Sequence, residues 1–289
     1  MITDPGTLYV VATPIGNLDD MSARAREVLT MADTIAAEDT RRAAQLLTHL
    51  GVRNKLVSLH EHNEEDRVVQ IIDALKNGEN IALISDAGTP LISDPGYRLL
   101  AAARQQDLPV CPVPGSCAAI AALSVAGLPT DRFRFEGFLA SKAAARRKKL
   151  TALRAVPETI ILYEAVHRVQ DLLADIEAVI GPERPVTVAR ELTKRFETVY
   201  RGSVAEVRAQ LASDTGGTKG EITLVLAGFT GPEDPYHREL ERVLTLLLGE
   251  VSTRQAASLA AKITGARRGE AYTLALKLQG SQPGGPLSE

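Results

Sequence analysis

The chain has 289 residues, of which 33 are Lys or Arg and 36 are Asp or Glu, so its formal net charge is −3. This balance excludes a uniformly basic nucleic-acid coat but leaves room for a local basic patch. Hydrophobic residues make up 45% and aromatic residues 4%, without Trp, which predicts ordinary globular cores and argues against aromatic stacking platforms for single-stranded nucleic acid. The length predicts about two domains with a small appendage.

The first half of the chain alternates short apolar segments with helical patterns. Strands are predicted at 8–12, 34–37, 56–59, 81–84 and 110–113, and helices at 22–31, 41–49, 65–76 and 97–105. Ser22, Asp39 and Asn63 are residue types preferred at helix N-caps. The alternation predicts right-handed crossovers and a mostly parallel sheet with helices on both faces.

The next segment predicts a second α/β domain. An Ala-rich helix is expected at 116–126, with Ser116 as its N-cap, before a break at 127–131. Strands are predicted at 133–139, 160–163, 186–191, 197–200 and 222–227, and helices at 143–153, 166–180 and 204–211. Because two strands follow each other directly between 186 and 200, we expect a mixed sheet with hairpins.

A Gly- and Pro-rich linker at 228–235 precedes three predicted helices at 236–248, 254–263 and 269–278. The short turn between the last two is typical of a helix-turn-helix unit. The predicted division is therefore an N-terminal α/β domain at 1–115, a C-terminal α/β domain at 116–230, a helix-turn-helix extension at 236–279 and a disordered tail at 280–289.

Neither metal nor membrane is expected. Cys111 and Cys117 are too few for a disulfide framework or a four-ligand structural zinc site. His60 and His62 are two residues apart, which is not the spacing of a metal-binding pair on a helix. The N-terminus lacks a signal-peptide pattern, and no apolar run approaches the roughly 20 residues that span a bilayer, so we expect a cytoplasmic protein.

Three polar or Gly-rich segments follow predicted strands, where open parallel sheets bind ligands. The segment 12–18 matches neither a dinucleotide fingerprint nor a P-loop, and is equally well read as a tight turn. The segment 85–96 holds two Asp, two Gly and two Pro but no Lys or Arg, which favours a neutral or cationic ligand over phosphate. The segment 113–119, taken alone, favours a plain strand–helix junction.

Charged segments add candidates for acid–base chemistry and for phosphate contacts. The segments 38–42 and 60–64 follow strands but also suit helix caps, and His167 in 163–168 is a candidate general base. Two clusters of cations lie on separate elements and favour RNA or DNA over a solvated helix face. They comprise Lys142, Arg146, Arg147, Lys148 and Lys149, and then Arg254, Lys262, Arg267 and Arg268.

In this order, the segments 11–18, 38–41, 85–96, 113–116 and 189–194 together resemble the ribosomal RNA small subunit methyltransferase I family of the tetrapyrrole methylase superfamily. The similarity runs from about residue 6 to 278 and includes the helix pair that contains 254–257. It implies two α/β domains with S-adenosylmethionine in the cleft between them and a homodimer. It also implies 2′-O-methylation of a cytidine in the decoding region of 16S rRNA, cytidine 1402, in the small ribosomal subunit.

The resemblance also assigns residues. The cofactor-binding set that it implies is Pro14, Asp86, Ala87, Gly88, Thr89, Ser116, Cys117, Tyr163, Ala165, Leu192 and Gly220. Cys117 stands where family members often have another small residue. Because a ribose hydroxyl is a weak acid, a general base is expected, and Asp39, Glu61 and Glu164 are the candidates. Arg41 and Arg168 would place phosphate or orient that base.

Two other classes stay open at this stage. A methylase of a small tetrapyrrole is the alternative enzyme, although such a substrate would not require the basic segment 142–149 or the helix-turn-helix unit. A non-enzymatic DNA-binding regulator is the other alternative. The long α/β chain with elaborate loops at its strand ends exceeds what a simple dimerisation domain would need.

Overall fold

The computed structural model describes residues 4–60, 63–214, 220–230 and 235–280, with the side chains of 235–238 and 280 excepted. Within these ranges it contains two five-stranded sheets and a group of three C-terminal helices. No helix in these ranges is long and apolar enough to cross a membrane.

The first sheet is parallel throughout, as the sequence predicts, with strand order β3-β2-β4-β1-β5. Its strands are β1 (Leu8–Val11), β2 (Thr34–Ala37), β3 (Leu56–Ser58), β4 (Ile81–Ile84) and β5 (Val110–Val113), and its helices are α1 (Ala23–Met31), α2 (Thr40–Leu50), α3 (Glu64–Lys76) and α4 (Tyr97–Gln105). Strands β2 and β4 are buried along their whole length, because helices cover both faces. The carboxyl ends of β1, β2 and β4 therefore meet at one edge.

The three predicted N-cap residues of the first sheet's helices all occupy that position, and two of them make the side-chain hydrogen bond. Ser22 accepts a hydrogen bond from Ala25 N, and Asp39 accepts one from Arg41 N. Asn63 occupies the predicted N-cap position of α3, but its side chain makes no hydrogen bond to the helix. Its side-chain oxygen instead accepts a hydrogen bond from His60 N at 2.9 Å, so the amide closes the preceding turn.

The second sheet is mixed, with order β6-β7-β10-β8-β9, and only β6 and β7 are parallel neighbours. This confirms the predicted hairpins. Its strands are β6 (Phe133–Phe138), β7 (Thr159–Ala165), β8 (Pro185–Arg190), β9 (Thr198–Ser203) and β10 (Glu221–Leu226), and its helices are α5 (Ala118–Ala126), α6 (Ala143–Leu153), α7 (Val169–Val179) and α8 (Val204–Ser213). Helix α5 packs on one face of this sheet, where Ala122 meets Ile161, Ala189 and Val225, and α6, α7 and α8 cover the other.

Two predicted helix starts in this half were wrong. Helix α5 begins at Ala118 rather than at Ser116, and Cys117 occupies its N-cap position without a side-chain bond. Ser116 is held outside the helix because its carbonyl accepts a hydrogen bond from Thr89 Oγ1 at 3.0 Å. The predicted single helix at 166–180 is divided into a 3-10 turn, Val166–Arg168, and α7.

The C-terminal group consists of α9 (Pro235–Leu248), α10 (Thr253–Thr264) and α11 (Arg268–Gly280), as predicted. Leu240, Leu244, Ala256 and Ala271 are buried together at its centre. Ser252 and Gln255 form a capping box at the start of α10, and Gly265 in the left-handed conformation ends it. Of the predicted disordered tail at 280–289, Gly280 is instead the last residue of α11, and 281–289 lie outside the described residues.

The basic segment on α6 is partly used inside the fold. Arg146 is 5% exposed, and its Nε donates to Asp175 Oδ2 at 2.6 Å. Arg147 donates to the other oxygen of Asp175 at 2.5 Å, and Lys149 pairs with Glu136 at 2.7 Å. Contact of Arg146 with nucleic acid is at odds with this burial, because the guanidinium is enclosed and already paired.

Substitution of Asp175, the ion-pair partner of Arg146, tests the structural role of Arg146. Burial alone would raise the pKa of Asp175, but the hydrogen bonds from Arg147 and Arg146 outweigh it and lower the pKa. We expect Asp175→Ala to lower the free energy of unfolding by about 3–5 kcal/mol, because the buried guanidinium loses its partner. Urea denaturation measures the change. The control Asp171→Ala removes an exposed carboxylate from the same helix and should cost less than about 1 kcal/mol; equal losses would contradict this role.

Candidate active site

A cavity of about 460 Å³ lies between the two sheets, a volume in the range of small-molecule sites. One wall comes from the segments that follow β2 and β4, and the other from the end of β7 and the start of β10. The residues that line it are Ile15, Glu38, Arg42, Asp86, Ala87, Gly88, Thr89, Ile92, Ser93, Asp94, Cys117, Ala118, Phe138, Tyr163, Glu164, Ala165, Val166, His167, Gly220, Glu221, Ile222 and Thr223.

The long loop after β4 is held in a strained conformation against the loop after β1. Thr13 N donates to Gly88 O at 2.9 Å and Gly88 N donates to Thr13 O at 3.1 Å, so the two loops form a short antiparallel bridge. Gly88 has a φ of 84°, and Leu91 and Ser93 have φ values of 77° and 71°, which side-chain-bearing residues rarely adopt. Such strain persists where the surroundings fix a functional loop, which supports the functional interpretation of the segment 85–96.

At Gly16, the loop after β1 touches the loop after β8 of the second sheet. A Cβ at this position would lie 2.4 Å from Lys194 Cγ, so only glycine lets the backbone approach without displacing that side chain. Lys194 Nζ is bound to Glu191 Oε1 at 2.9 Å and to Glu221 Oε2 at 3.2 Å. The loop after β1 therefore packs against a lysine that two ion pairs hold in place on the second α/β domain.

Three carboxylates form one wall of the cavity. Asp86 is engaged at both oxygens, because Asp39 N donates to Oδ1 at 3.1 Å and Arg42 Nη1 lies 3.1 Å from Oδ2. The pKa of Glu38 is raised by burial and by the negative charges of Asp86 and Asp94. Burial also raises the pKa of Asp94, and Asp86 adds to this, whereas a hydrogen bond from Ser85 opposes it.

This wall carries more negative than positive charge. Arg42 is the cation that pairs with it, and 68% of the Arg42 side chain is exposed to water. A cation placed in the cavity would relieve the repulsion among the carboxylates. The net negative charge of this wall agrees with the inference, drawn from the absence of Lys and Arg in the segment 85–96, that the ligand is neutral or cationic.

The opposite wall contains Tyr163, which is fixed on several sides. Its hydroxyl accepts a hydrogen bond from Ala119 N at 3.1 Å, and its ring meets Phe135 and Phe138 edge-on at centroid distances of 5.0 and 5.6 Å. Burial raises the pKa of Tyr163, and the thiol of Cys117 adds to the effect. The phenol is therefore protonated throughout the physiological pH range.

Glu164 and Arg168 form a buried pair behind this wall. Glu164 Oε1 accepts from Ala165 N at 2.8 Å, and Oε2 lies 3.2 Å from Arg168 Nη2, with the Glu164 side chain fully enclosed. Arg168 Nη2 also donates to Leu139 O at 2.9 Å. Within the described residues, neither Glu164 Oε2 nor Arg168 Nε has a hydrogen-bond partner. Unsatisfied buried polar atoms next to a cavity are sites where a ligand or water can bind.

Most residues of the predicted cofactor set meet in this cavity. Asp86, Ala87, Gly88, Thr89, Cys117, Tyr163, Ala165 and Gly220 line it. Pro14 lines an adjoining cavity of about 370 Å³, which shares Asp86 and Arg42 with the first. Ser116 and Leu192 are outside the lining; Ser116 binds Thr89 through its carbonyl, and Leu192 packs in the core near Tyr163.

The predicted catalytic set is only partly brought together. Glu164 lines the cavity but is enclosed, and Glu61 lies outside the described residues. Asp39 and Arg41 are not in the lining and bind each other at 3.0 Å. The hydrogen bonds from Arg41 lower the pKa of Asp39 to about 2.

Sequence reasoning placed Glu38, Arg42 and Asp94 in the candidate segments 38–42 and 85–96 without assigning them individual site roles, and Phe138 lies outside every candidate segment. Glu38 is the first residue after a fully buried strand, and this position alone could have indicated that its side chain reaches the site. Arg42 rather than Arg41 faces the cavity because one residue along a helix rotates a side chain by about 100°. Sequence alone does not fix that rotation. Phe138 gave no signal.

Comparisons with known families cover most of the chain. Residues 7–208 match the family model described as Tetrapyrrole (Corrin/Porphyrin) Methylases. Residues 236–279 match the model described as RsmI C-terminal HTH domain.

Curated relatives match over nearly their whole length. The protein named ribosomal RNA small subunit methyltransferase I from Pseudomonas aeruginosa is 52% identical over 277 residues, which cover 95% of this chain and 98% of the relative. The protein of the same name from Escherichia coli O157:H7 is 48% identical, with 95% and 96% covered. That from Synechocystis is 46% identical, with 95% and 99% covered.

Solved structures show the same fold at low sequence identity. A diphthine synthase aligns with a TM-score of 0.60 at 15% identity, covering 77% of this chain and 90% of that one. Uroporphyrin-III-C-methyltransferase from Thermus thermophilus aligns with a TM-score of 0.54 at 22% identity, covering 77% and 94%. Among the described residues, no group of His, Cys, Asp and Glu could hold a metal ion.

The charge of the carboxylate wall predicts an effect on stability. Because the folded-state pKa of Asp94 is raised, ionised Asp94 destabilises the fold. The penalty develops as pH rises from the ordinary value of 3.8 through the folded-state pKa, and persists at neutral pH. We therefore expect Asp94→Asn to raise the unfolding temperature at pH 7 by roughly 1–2 °C, with the gain lost below about pH 3.8.

Scanning calorimetry at several pH values measures this effect. Asp73→Asn, which changes an exposed carboxylate on α3, is the matched control and should leave the unfolding temperature within error at every pH. A lower unfolding temperature for Asp94→Asn at pH 7 would show that Asp94 stabilises the fold as an anion, contrary to this reading.

Proposed function

Because the chain belongs to the ribosomal RNA small subunit methyltransferase I family within the tetrapyrrole methylases, we propose that it methylates 16S rRNA. The donor is S-adenosylmethionine, and the acceptor is the ribose 2′-hydroxyl of a cytidine, cytidine 1402, in the small ribosomal subunit. The observation that carries the proposal is the full-length similarity, including the C-terminal helical domain, to relatives of that name at 43–52% identity. We further propose that the protein acts as a cytoplasmic homodimer.

The residues of the cavity fit this cofactor. S-adenosylmethionine supplies an activated methyl group on a positively charged sulfur. Asp86, Asp94 and Glu38 give the cavity the negative charge that a cation requires, and Gly88 lets the loop backbone approach it closely. We propose that the residues of the implied set that line the cavity hold the cofactor, with Pro14, Ser116 and Leu192 supporting them from outside.

The RNA is proposed to follow the exposed cations of two elements. On α6, Lys142, Arg147, Lys148 and Lys149 are exposed, and Arg146 is omitted because it is buried. On the C-terminal helices, Arg254, Arg267 and Arg268 are exposed, and a groove of about 520 Å³ is lined by Arg254, Ala257, Arg268, Gly269 and Tyr272. Exposed cations suit the phosphate backbone because they are accessible to it. Arg147 and Lys149 would exchange their ion pairs with Asp175 and Glu136 for phosphate. Arg41, whose side chain is 88% exposed, is proposed as a further phosphate contact.

The experiment that tests this function uses small ribosomal subunits from a strain lacking the protein. Purified wild-type protein is incubated with them and with methyl-labelled S-adenosylmethionine, and the labelled nucleotide is mapped by nuclease digestion. Label at a single alkali-resistant cytidine ribose is the expected result, because 2′-O-methylation blocks alkaline cleavage. Label transferred to a tetrapyrrole but not to RNA would favour the alternative enzyme class, and binding to DNA without cofactor binding would favour a regulator.

The proposed RNA-binding cations predict that RNA affinity depends on salt less steeply when one of them is removed. Each phosphate-contacting cation contributes about 0.9 to the slope of log affinity against log salt. We expect Lys148→Ala and Arg268→Ala each to weaken RNA binding and to reduce that slope by about 1. Filter binding across a salt series measures it.

The matched control for these two variants is Lys76→Ala, which removes an exposed cation at the end of α3, away from both elements. It should leave affinity and slope unchanged. Equal slopes for all three variants and the wild type would reject the proposed RNA path.

A further inference from the structure

Methyl transfer to a ribose hydroxyl needs a group that takes the hydroxyl proton, and this inference rests on the proposed function. Such a group must be reachable from the cavity, must have a free oxygen, and should have a pKa raised towards the working pH. His167, the imidazole named above as a candidate base, also lines the cavity and is exposed on the opposite wall, after β7. Among the described residues, the carboxylates that line the cavity are Glu38, Asp86, Asp94, Glu164 and Glu221.

Geometry removes three of these five. Both oxygens of Asp86 are engaged, one by Asp39 N and the other by Arg42. The Glu164 side chain is fully enclosed and lies 3.2 Å from the guanidinium of Arg168. Glu221 is paired with Lys194 at 3.2 Å and is 75% exposed on the rim. An anion held by a cation is a weaker base than a free one.

Of the two that are left, Asp94 belongs to the strained loop that we assign to the cofactor. Its carboxylate accepts a hydrogen bond from Ser85 within that loop. Glu38 instead follows β2 and stands directly before α2, the helix that carries Arg41 and Arg42. It thus lies at the cavity, next in the chain to the helix that carries Arg41, the proposed phosphate contact.

The surroundings of Glu38 also favour the uptake of a proton. Burial, and then the charges of Asp86 and Asp94, raise its pKa, and a backbone hydrogen bond from Asp86 and the charge of Arg42 offset this only in part. The adjacent Asp39 is in the opposite situation, because Arg41 holds the pKa of that carboxyl at about 2. Of these neighbouring carboxylates, Glu38 is the stronger base.

We propose that Glu38 is the proton acceptor of the methyl transfer. A carboxylate oxygen of Glu38 takes the proton of the 2′-hydroxyl, and the electron pair of the broken O–H bond is retained on the ribose oxygen. That oxygen forms the new bond to the methyl carbon as the carbon–sulfur bond breaks with both electrons leaving on sulfur. Glu38 ends protonated and returns its proton to water.

The principal test compares Glu38→Gln with Asp39→Asn, the same chemical change at adjacent positions. The wild-type kcat for methyl transfer should fall as pH falls through the Glu38 pKa, because protonated Glu38 cannot accept a proton. We expect Glu38→Gln to lower kcat by at least about 100-fold and to abolish this acidic limb. Asp39→Asn should retain the limb, whatever its effect on the plateau. Loss of the limb in Asp39→Asn but not in Glu38→Gln would overturn the proposal.

Substitution of two neighbours of Glu38 should shift the pH of the acidic limb in opposite directions, which would not happen if Glu38 had only a structural role. Asp94→Asn removes a negative charge that raises the pKa of Glu38, so the acidic limb should shift to lower pH. Arg42→Gln removes a positive charge that lowers it, so the limb should shift to higher pH. Shifts in the same direction, or none, would contradict the assignment of the limb to Glu38.

A measurement without turnover completes the test. The side-chain carboxyls of ¹³C-labelled Glu are titrated by NMR in the wild type, and the resonance missing from Glu38→Gln identifies Glu38. A pKa above 4.5, the ordinary value, is expected, and a value at or below it rejects the proposal. An ordinary titration in a protein that methylates rRNA rejects the role of Glu38 alone. Absence of rRNA methylation by the wild type rejects the proposed function and, with it, the role of Glu38 as proton acceptor.

Discussion

The site depends on the parallel alignment of three buried strands. Because β1, β2 and β4 run side by side in one direction, the segments that follow them meet at one edge, and the paired backbone hydrogen bonds between Thr13 and Gly88 fix two of those segments together. Glu38 is far in sequence from Asp86 and Asp94, and it is adjacent to them in space for this reason. The second sheet then closes the cavity from the opposite side with Tyr163 and Glu164.

The carboxylate wall illustrates a compromise between stability and chemistry. Like charges held close together cost folding energy, and here Arg42 offsets only part of that cost from a largely exposed position. The same carboxylates give the cavity a negative charge that favours a cationic ligand. In addition to burial, their repulsion raises the pKa of Glu38, which therefore binds a proton more readily than usual. The neighbouring pair of Asp39 and Arg41 satisfies its charges fully and therefore offers little to a reaction.

The strand and helix pattern was readable from the sequence because strands such as β2 and β4 are apolar on both faces and helices such as α1 carry a clear N-cap. The cofactor loop was readable because Asp, Gly and Pro are concentrated after a buried strand. Long-range contacts set the rest. The bond from Thr89 to the Ser116 carbonyl moved the start of α5, and Asp175, 29 residues from Arg146, drew that cation of a basic segment into the core. Neither partner can be inferred from local composition.

The bond that Tyr163 accepts from Ala119 determines what the second wall can offer. A phenol has one hydrogen to donate and lone pairs to accept with. Here the amide at the start of α5 already occupies an acceptor site, and the thiol of Cys117, at the N-cap of the same helix, is the neighbour that interacts with the phenol hydrogen and, in addition to burial, raises the pKa of Tyr163. The helix, rather than any bound molecule, thereby sets the polarity of this hydroxyl. A ligand that binds there and accepts the phenol hydrogen therefore competes with Cys117 for it.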